Sequence, residues 1–196
     1  MTVTFHDILF GETREDRPCG DCIACCQVLN IDEPELVKPQ GTLCPNCTGT
    51  GCSIYETRPQ VCRGWNCAWK RIPSMPPETR PDAMGVLFTV DRHLPPRNPF
   101  ENLYIIAVAQ EREEDLSSRD TQDVINMFKA AALPIFVQWQ GMKTLVHPEP
   151  VLADAIMNPE GIKDWRLREQ ARQWLERYEP FARAGADDQV LLPQLG

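Results

Sequence analysis

The chain has 196 residues, of which 42% are apolar and 24% charged, with 20 Lys and Arg against 28 Asp and Glu for a net charge of -8. That length suits one domain, or one domain with a small appendage. The acidic balance argues against a nucleic-acid-binding surface, and no run is long and apolar enough to predict a membrane span. Met1 to Pro18 carries Asp7, Glu12, Glu15 and Asp16 without a basic-then-apolar layout. It does not read as a secretory signal, so a cytoplasmic location is expected.

In chain order, residues 1–18 read as a lead-in strand or arm. Residues 19–70 hold all nine cysteines, few aliphatics and several turn signals, such as Cys19-Gly20-Asp21 and Gly49-Thr50-Gly51. So few apolar side chains predict a segment held by metal or disulfide rather than by a core of its own. Residues 71–83 contain four prolines and read as an extended connector. Beyond it, Gly85–Val90 and Asn102–Ala109 read as strands, the second apolar enough to be central. Val124, Ile125, Phe128, Ala131 and Ala132 fall on one face of a helix over 121–133, capped by Ser117, Ser118 or Asp120 and ended by Pro134. Ile135–Trp139 and Lys143–His147 flank Gln140-Gly141-Met142 as a hairpin. Pro150–Met157 predicts a short helix. Asn158-Pro159-Glu160 predicts the start of a last one, with Asn as N-cap, running to about Tyr178 before a loose tail from Ala184. The expected fold class is α+β: a cysteine-rich, metal-stapled lobe (1–70), a proline-rich connector (71–83), and an α+β lobe (84–196) with a small antiparallel sheet and C-terminal helices.

The cysteines carry the chemistry. Their spacing is Cys19-x2-Cys22-x2-Cys25-Cys26, then Cys44-x2-Cys47-x4-Cys52, then Cys62-x4-Cys67. Two residues between cysteines let a tight turn bring both sulfurs to one tetrahedral ion, and repeated units of this kind indicate a metal site. In an extended chain Cys25 and Cys26 would point to opposite sides and serve different sites. Eight thiolates suffice for two closed four-thiolate zinc sites, with one to spare. A disulfide framework fits poorly with an odd cysteine count in a reducing compartment. Cys19-x2-Cys22-x2-Cys25 also matches three ligands of an iron–sulfur cluster, although Cys26-Gln27 departs from the ferredoxin continuation. Zinc, iron and an iron–sulfur cluster all stay open as the cofactor.

Cys19-Gly-Asp-Cys22-Ile-Ala-Cys25-Cys26, followed by Gly51-Cys52-Ser-Ile-Tyr55-Glu-Thr-Arg58-Pro59-Gln-Val-Cys62-Arg63, resembles the bacterial CxxCxxCC proteins of the YkgJ family. These are described as carrying a zinc- or iron-chelating domain. The resemblance covers residues 19–67 and implies metal ligation by Cys19, Cys22, Cys25, Cys26, Cys52 and Cys62, with Cys44 a further ligand. Cys47 and Cys67 lie outside the matched pattern and join the candidate set through the cysteine spacing. Flagellin lysine N-methylases share the motif, but this chain has no glycine-rich strand–loop–helix for S-adenosylmethionine.

A four-thiolate zinc site carries a net charge of about −2, which burial penalises unless positive charge or N–H donors face the sulfurs. Arg58 and Arg63 stand among the ligands and are candidates for that role. Tyr55, Trp65 and Trp69 are expected to pack around the metal lobe. His6, His93 and His147 are far apart and not expected to ligate. The chain has no dinucleotide fingerprint, P-loop, HExxH or G-x-S-x-G elbow. The expectation is a metal-binding, non-catalytic binding or adaptor module, with the metal ion and another protein as partners and no nucleic acid or membrane. An iron–sulfur protein with a redox or enzymatic role is the alternative.

Overall fold

The computed structural model describes residues 13–186 and is α+β. A short helix α1 (Ala24–Val28) leads into a two-stranded antiparallel ribbon, β1 (Ile31–Glu33) and β2 (Leu36–Lys38). Helices α2 (Gln60–Gly64), α3 (Ala68–Arg71) and α4 (Pro81–Met84) follow, each about one turn long. The main sheet has strands β3 (Val86–Asp91), β4 (Tyr104–Ala109), β5 (Ile135–Trp139) and β6 (Met142–His147), in that spatial order. Helix α5 (Arg119–Lys129) lies between β4 and β5 in sequence, and α6 (Pro150–Met157) and α7 (Trp165–Gly185) close the described chain.

The sheet is mixed, which corrects the antiparallel expectation. β3 pairs antiparallel with β4, Val86 opposite Ala109, and β5 pairs antiparallel with β6. β4 and β5 run parallel, Ile105 opposite Ile135. The physical reason is the crossover through α5: a helix between two strands returns the chain to the same end of the sheet, where a tight hairpin would reverse it. β4 is central, as its apolar run predicts, and every residue of it is buried. The β5–β6 connection is tighter than expected. Gln140 and Gly141 both take positive φ (47° and 82°), the two-residue turn whose twist suits a hairpin.

β3 sits at the sheet edge, yet all six of its residues are buried. The cysteine-rich segment and the connector cover it, since α1, α3 and α4 all pack on β3. Ala24, Val28, Leu29, Leu36, Trp69, Ile72 and Met75 belong to the same continuous apolar cluster as the strands. The segment is therefore held in part by ordinary packing, and its few aliphatics are well spent because they insert into a core that the sheet completes. The connector is not an unstructured link either. Met75 and Thr79 are buried, Pro77–Thr79 forms a single helical turn, and α4 begins at buried Pro81. Gly85 ends α4 in a left-handed conformation (φ 73°), which turns the chain into β3.

The helix ends differ from expectation for local reasons. Ser118 caps α5, accepting from the Thr121 N–H. The helix stops at Lys129 because Ala132 turns left-handed (φ 57°) and Pro134 keeps Leu133 out of helical geometry. Asn158 makes no cap bond, and Pro159–Gly161 is only a single turn. The cap of α7 is Asp164, accepting from the Arg166 N–H, and that helix runs through Pro180 to Gly185. Of the expected N-terminal arm, residues 1–12 lie outside the described chain, as does the tail from residue 187. Within the described part, the Arg14 N–H donates to the Lys70 carbonyl (3.0 Å).

Candidate metal centre

All nine cysteines are free thiols. Two of the expected knuckle turns form. In Cys19-Gly20-Asp21-Cys22 the Cys22 N–H donates to the Cys19 carbonyl (3.0 Å), with Gly20 supplying a positive φ of 54°. In Cys44-Pro45-Asn46-Cys47 the Cys47 N–H donates to the Cys44 carbonyl (2.9 Å). A bridge between Cys47 and Cys52 sets those residues side by side, and the Cys44 N–H donates to the Cys26 carbonyl (2.9 Å), tying this loop to α1.

Eight of the cysteines line one cavity of about 170 Å³: Cys19, Cys22, Cys25, Cys26, Cys44, Cys52, Cys62 and Cys67. Cys47 reaches the set through a thiol contact with Cys26. The interactions of Cys67, Cys26 and Cys62 with other thiols fall into two groups. Cys67 interacts with Cys19 and Cys22. Cys26 hydrogen-bonds Cys25 and Cys47, and Cys62 interacts with Cys44, Cys26 and Cys52.

This partition revises the reading of the adjacent pair. Cys25 and Cys26 lie in α1, not in an extended chain, and their thiols meet. Consecutive helical side chains diverge by about 100° rather than 180°, which lets both reach one group. The Cys22-x2-Cys25 spacing conversely does not act as a knuckle. Cys22 interacts with Cys19 and Cys67, and the chain enters α1 before Cys25.

The environment disfavours ionisation of four of these thiols, Cys22, Cys26, Cys62 and Cys67. Burial pushes Cys67 up to about 11, with Cys19 and Cys22 adding to it while the Lys70 and Trp69 backbone N–H groups oppose it. Cys22 is raised by burial first, then by Asp82 and Cys19. Cys62 is raised by burial and by Cys44, Cys26 and Cys52, with Arg58 working the other way. Cys26 is raised most by its hydrogen bond to Cys25, then by burial. Many thiols in one half-buried space suppress each other's ionisation; a bound soft cation reverses that logic and displaces the protons.

The chemistry of the donor set suits a soft or borderline metal. Two N–H donors on the cavity wall, Arg58 Nε and Trp65 Nε1, are buried with no acceptor among the described residues, and thiolate sulfur would accept from both. The arrangement is open as it stands: among the described residues, no three or more His, Cys, Asp or Glu side chains are gathered so as to hold an ion. Ligation would require the thiols to draw closer together around an ion.

The cationic side chains divide differently from the sequence expectation. Arg58 lies at the thiols, its guanidinium 3.8 Å from the centre of the Tyr55 ring and close enough to Cys62 to favour its thiolate. Arg63 is exposed on α2. Two buried cations were not anticipated. Lys38 is 1% exposed and faces Cys44, Cys26 and Cys25. Arg17 is 6% exposed, lies over the Trp69 ring and faces Cys67. Neither stands within the cysteine motifs; the faint signal was a lysine ending an apolar Leu-Val pair, and an arginine just before the first cysteine.

Trp69 is buried as expected, its Nε1 donating to the Pro77 carbonyl (3.0 Å), and Trp65 is half-buried. Tyr55 is exposed, serving as the platform under Arg58 rather than as core. The histidines are engaged elsewhere. His147 accepts from Trp174 Nε1 (3.4 Å) and is driven down to about 4 by burial, while His93 contacts the Pro95 carbonyl (2.6 Å). His6 lies outside the described residues. No family model, curated protein or solved structure matches this chain. No helix among the described residues is long and apolar enough to cross a membrane.

Proposed function

We propose that this protein binds zinc or iron through its clustered cysteines and works as a binding or adaptor module rather than a catalyst. One observation carries the reading: eight cysteines, drawn from segments as far apart as Cys19 and Cys67, converge on a single cavity. A cysteine used only as a small hydrophobe has no reason to meet seven others, since packed thiols gain no more from each other than from any apolar neighbour. The resemblance to the CxxCxxCC family points the same way. The two thiol groups make two centres the natural stoichiometry. The partners are then the metal itself and another protein, in a reducing compartment that keeps the thiols free.

Elemental analysis of protein purified without air tests this directly. More than one zinc per chain in colourless protein supports closed thiolate sites. Iron with inorganic sulfide and visible absorption assigns the redox alternative. Metal-free protein that cannot be loaded with either ion rejects metal binding.

A further inference from the structure

Lys38 closes β2 with its ammonium buried. Nζ donates to the carbonyls of Leu29 (2.5 Å), Thr42 (2.8 Å), Gln27 (3.3 Å) and Pro39 (3.3 Å). An ammonium has three protons, so these four acceptors leave none for a sulfur. No carboxylate pairs with it among the described residues; the anionic candidates it faces are Cys44, Cys26 and Cys25. Arg17 is a second buried cation, at the other group, with Asp16 as a neighbouring carboxylate. Its guanidinium donates to the carbonyls of Trp69 (2.6 Å), Met75 (2.7 Å), Ile72 (3.2 Å) and Pro73 (3.3 Å), and it faces Cys67.

A buried cation held only by neutral dipoles is costly to retain. Part of Lys38's task is structural, because Gln27 and Leu29 present open carbonyls where α1 ends. A neutral donor would meet that need without the desolvation penalty of a full charge. The charge acquires a use when neighbouring thiols become thiolates around a dication, leaving the centre with excess negative charge.

We propose that Lys38 is the resident counter-charge of the thiol group around Cys26 and determines whether that group retains its metal, with Arg17 serving the group around Cys67. This rests on the metal-binding reading and deepens it: the two centres load separately, each beside its own buried cation. Because the Lys38 protons are taken by carbonyls, it acts through space, so charge matters more than side-chain shape.

The test uses the full chain with Zn2+ and Co2+ as probes, reading stoichiometry by native mass spectrometry and thiolate–cobalt absorption by titration. Wild type is expected to hold more than one ion. Folded Lys38→Met should lose the cobalt component that Cys26→Ser loses, with affinity down at least about 10-fold. It should keep the component that Cys67→Ser loses, and Lys38→Arg should keep both. Lys38→Met loading like wild type, or losing both components together, overturns the proposal. Should Lys38→Met not fold, Lys38→Arg decides. Full loading then supports the charge role, and loss of the Cys26 component in folded protein refutes it. Wild type that takes up neither ion sinks the metal-binding reading itself and this proposal with it, a result distinct from every variant outcome.

Discussion

Replacing Tyr178 by Phe removes one oxygen from the core and tests how α7 is fastened to the sheet. Tyr178 is 2% exposed, and its hydroxyl is the partner of both backbone groups of Leu103. It donates to the Leu103 carbonyl (2.9 Å) and accepts from the Leu103 N–H (3.1 Å). Leu103 is fully buried just before β4, outside the strand ladder that would otherwise pair it. The phenylalanine ring keeps the stacking on Trp174 (centroids 5.0 Å apart), so the loss is polar. One orphaned buried donor and one orphaned acceptor, at about 1–3 kcal/mol for the first and less for the second, sum to roughly 2–4 kcal/mol. That is a large share of a total stability on the order of 5–15 kcal/mol. For a chain of this size it corresponds to a fall in Tm of about 5–12 °C. Urea unfolding should show a lower midpoint with an unchanged slope. A Tm within about 1 °C of wild type would refute the reasoning and mean that the Leu103 backbone finds other partners at little cost.

Glu101 gives a pH signature. Arg97 hydrogen-bonds its carboxylate (2.7 and 2.9 Å), and with Lys143 (3.2 Å) holds it down at about 2. A lowered carboxylate contributes stability that is present above its unfolded value of about 4.5 and is lost as pH falls toward 2. The exposure of Arg97 limits this to about 1–2 kcal/mol. The stability gap between wild type and Glu101→Gln should therefore close across that window in acid unfolding curves; a gap that persists at pH 2 contradicts the assignment. At the thiols, Arg58→Ala should weaken metal retention roughly 10–100-fold in competition with a chelator, the scale expected for a lost partner of metal ligands. Arg63→Ala should leave it unchanged, since Arg63 points to solvent. Equal effects of the two would remove Arg58 from the site.

Composition and spacing alone determined that the chain is α+β and that its cysteines are confined to Cys19–Cys67. Local signals also placed the four strands of the main sheet and the β5–β6 hairpin, and narrowed the α5 cap to Ser117, Ser118 or Asp120, because each depends on a few neighbouring residues: an apolar run, a glycine turn, a hydroxyl before a helix; the β1–β2 ribbon was not anticipated. The parallel pairing of β4 with β5 was not legible, since it follows from how α5 folds back over the sheet. Nor was the start of α7. Asn158-Pro159 and Asp164 are both acceptable caps in sequence, and the choice is made by Ile162, which takes an extended conformation between them. At the candidate site, the sequence named the thiols but not their company. Cys25 and Cys26 share a group because α1 turns them together, and Cys67 joins Cys19 because α3 packs on the same edge of the sheet. Lys38 and Arg17 are distant in sequence from the thiols they face or carry no motif that marks them. Only the burial of their charges, visible once the chain is folded around β3, gives them a place in the chemistry.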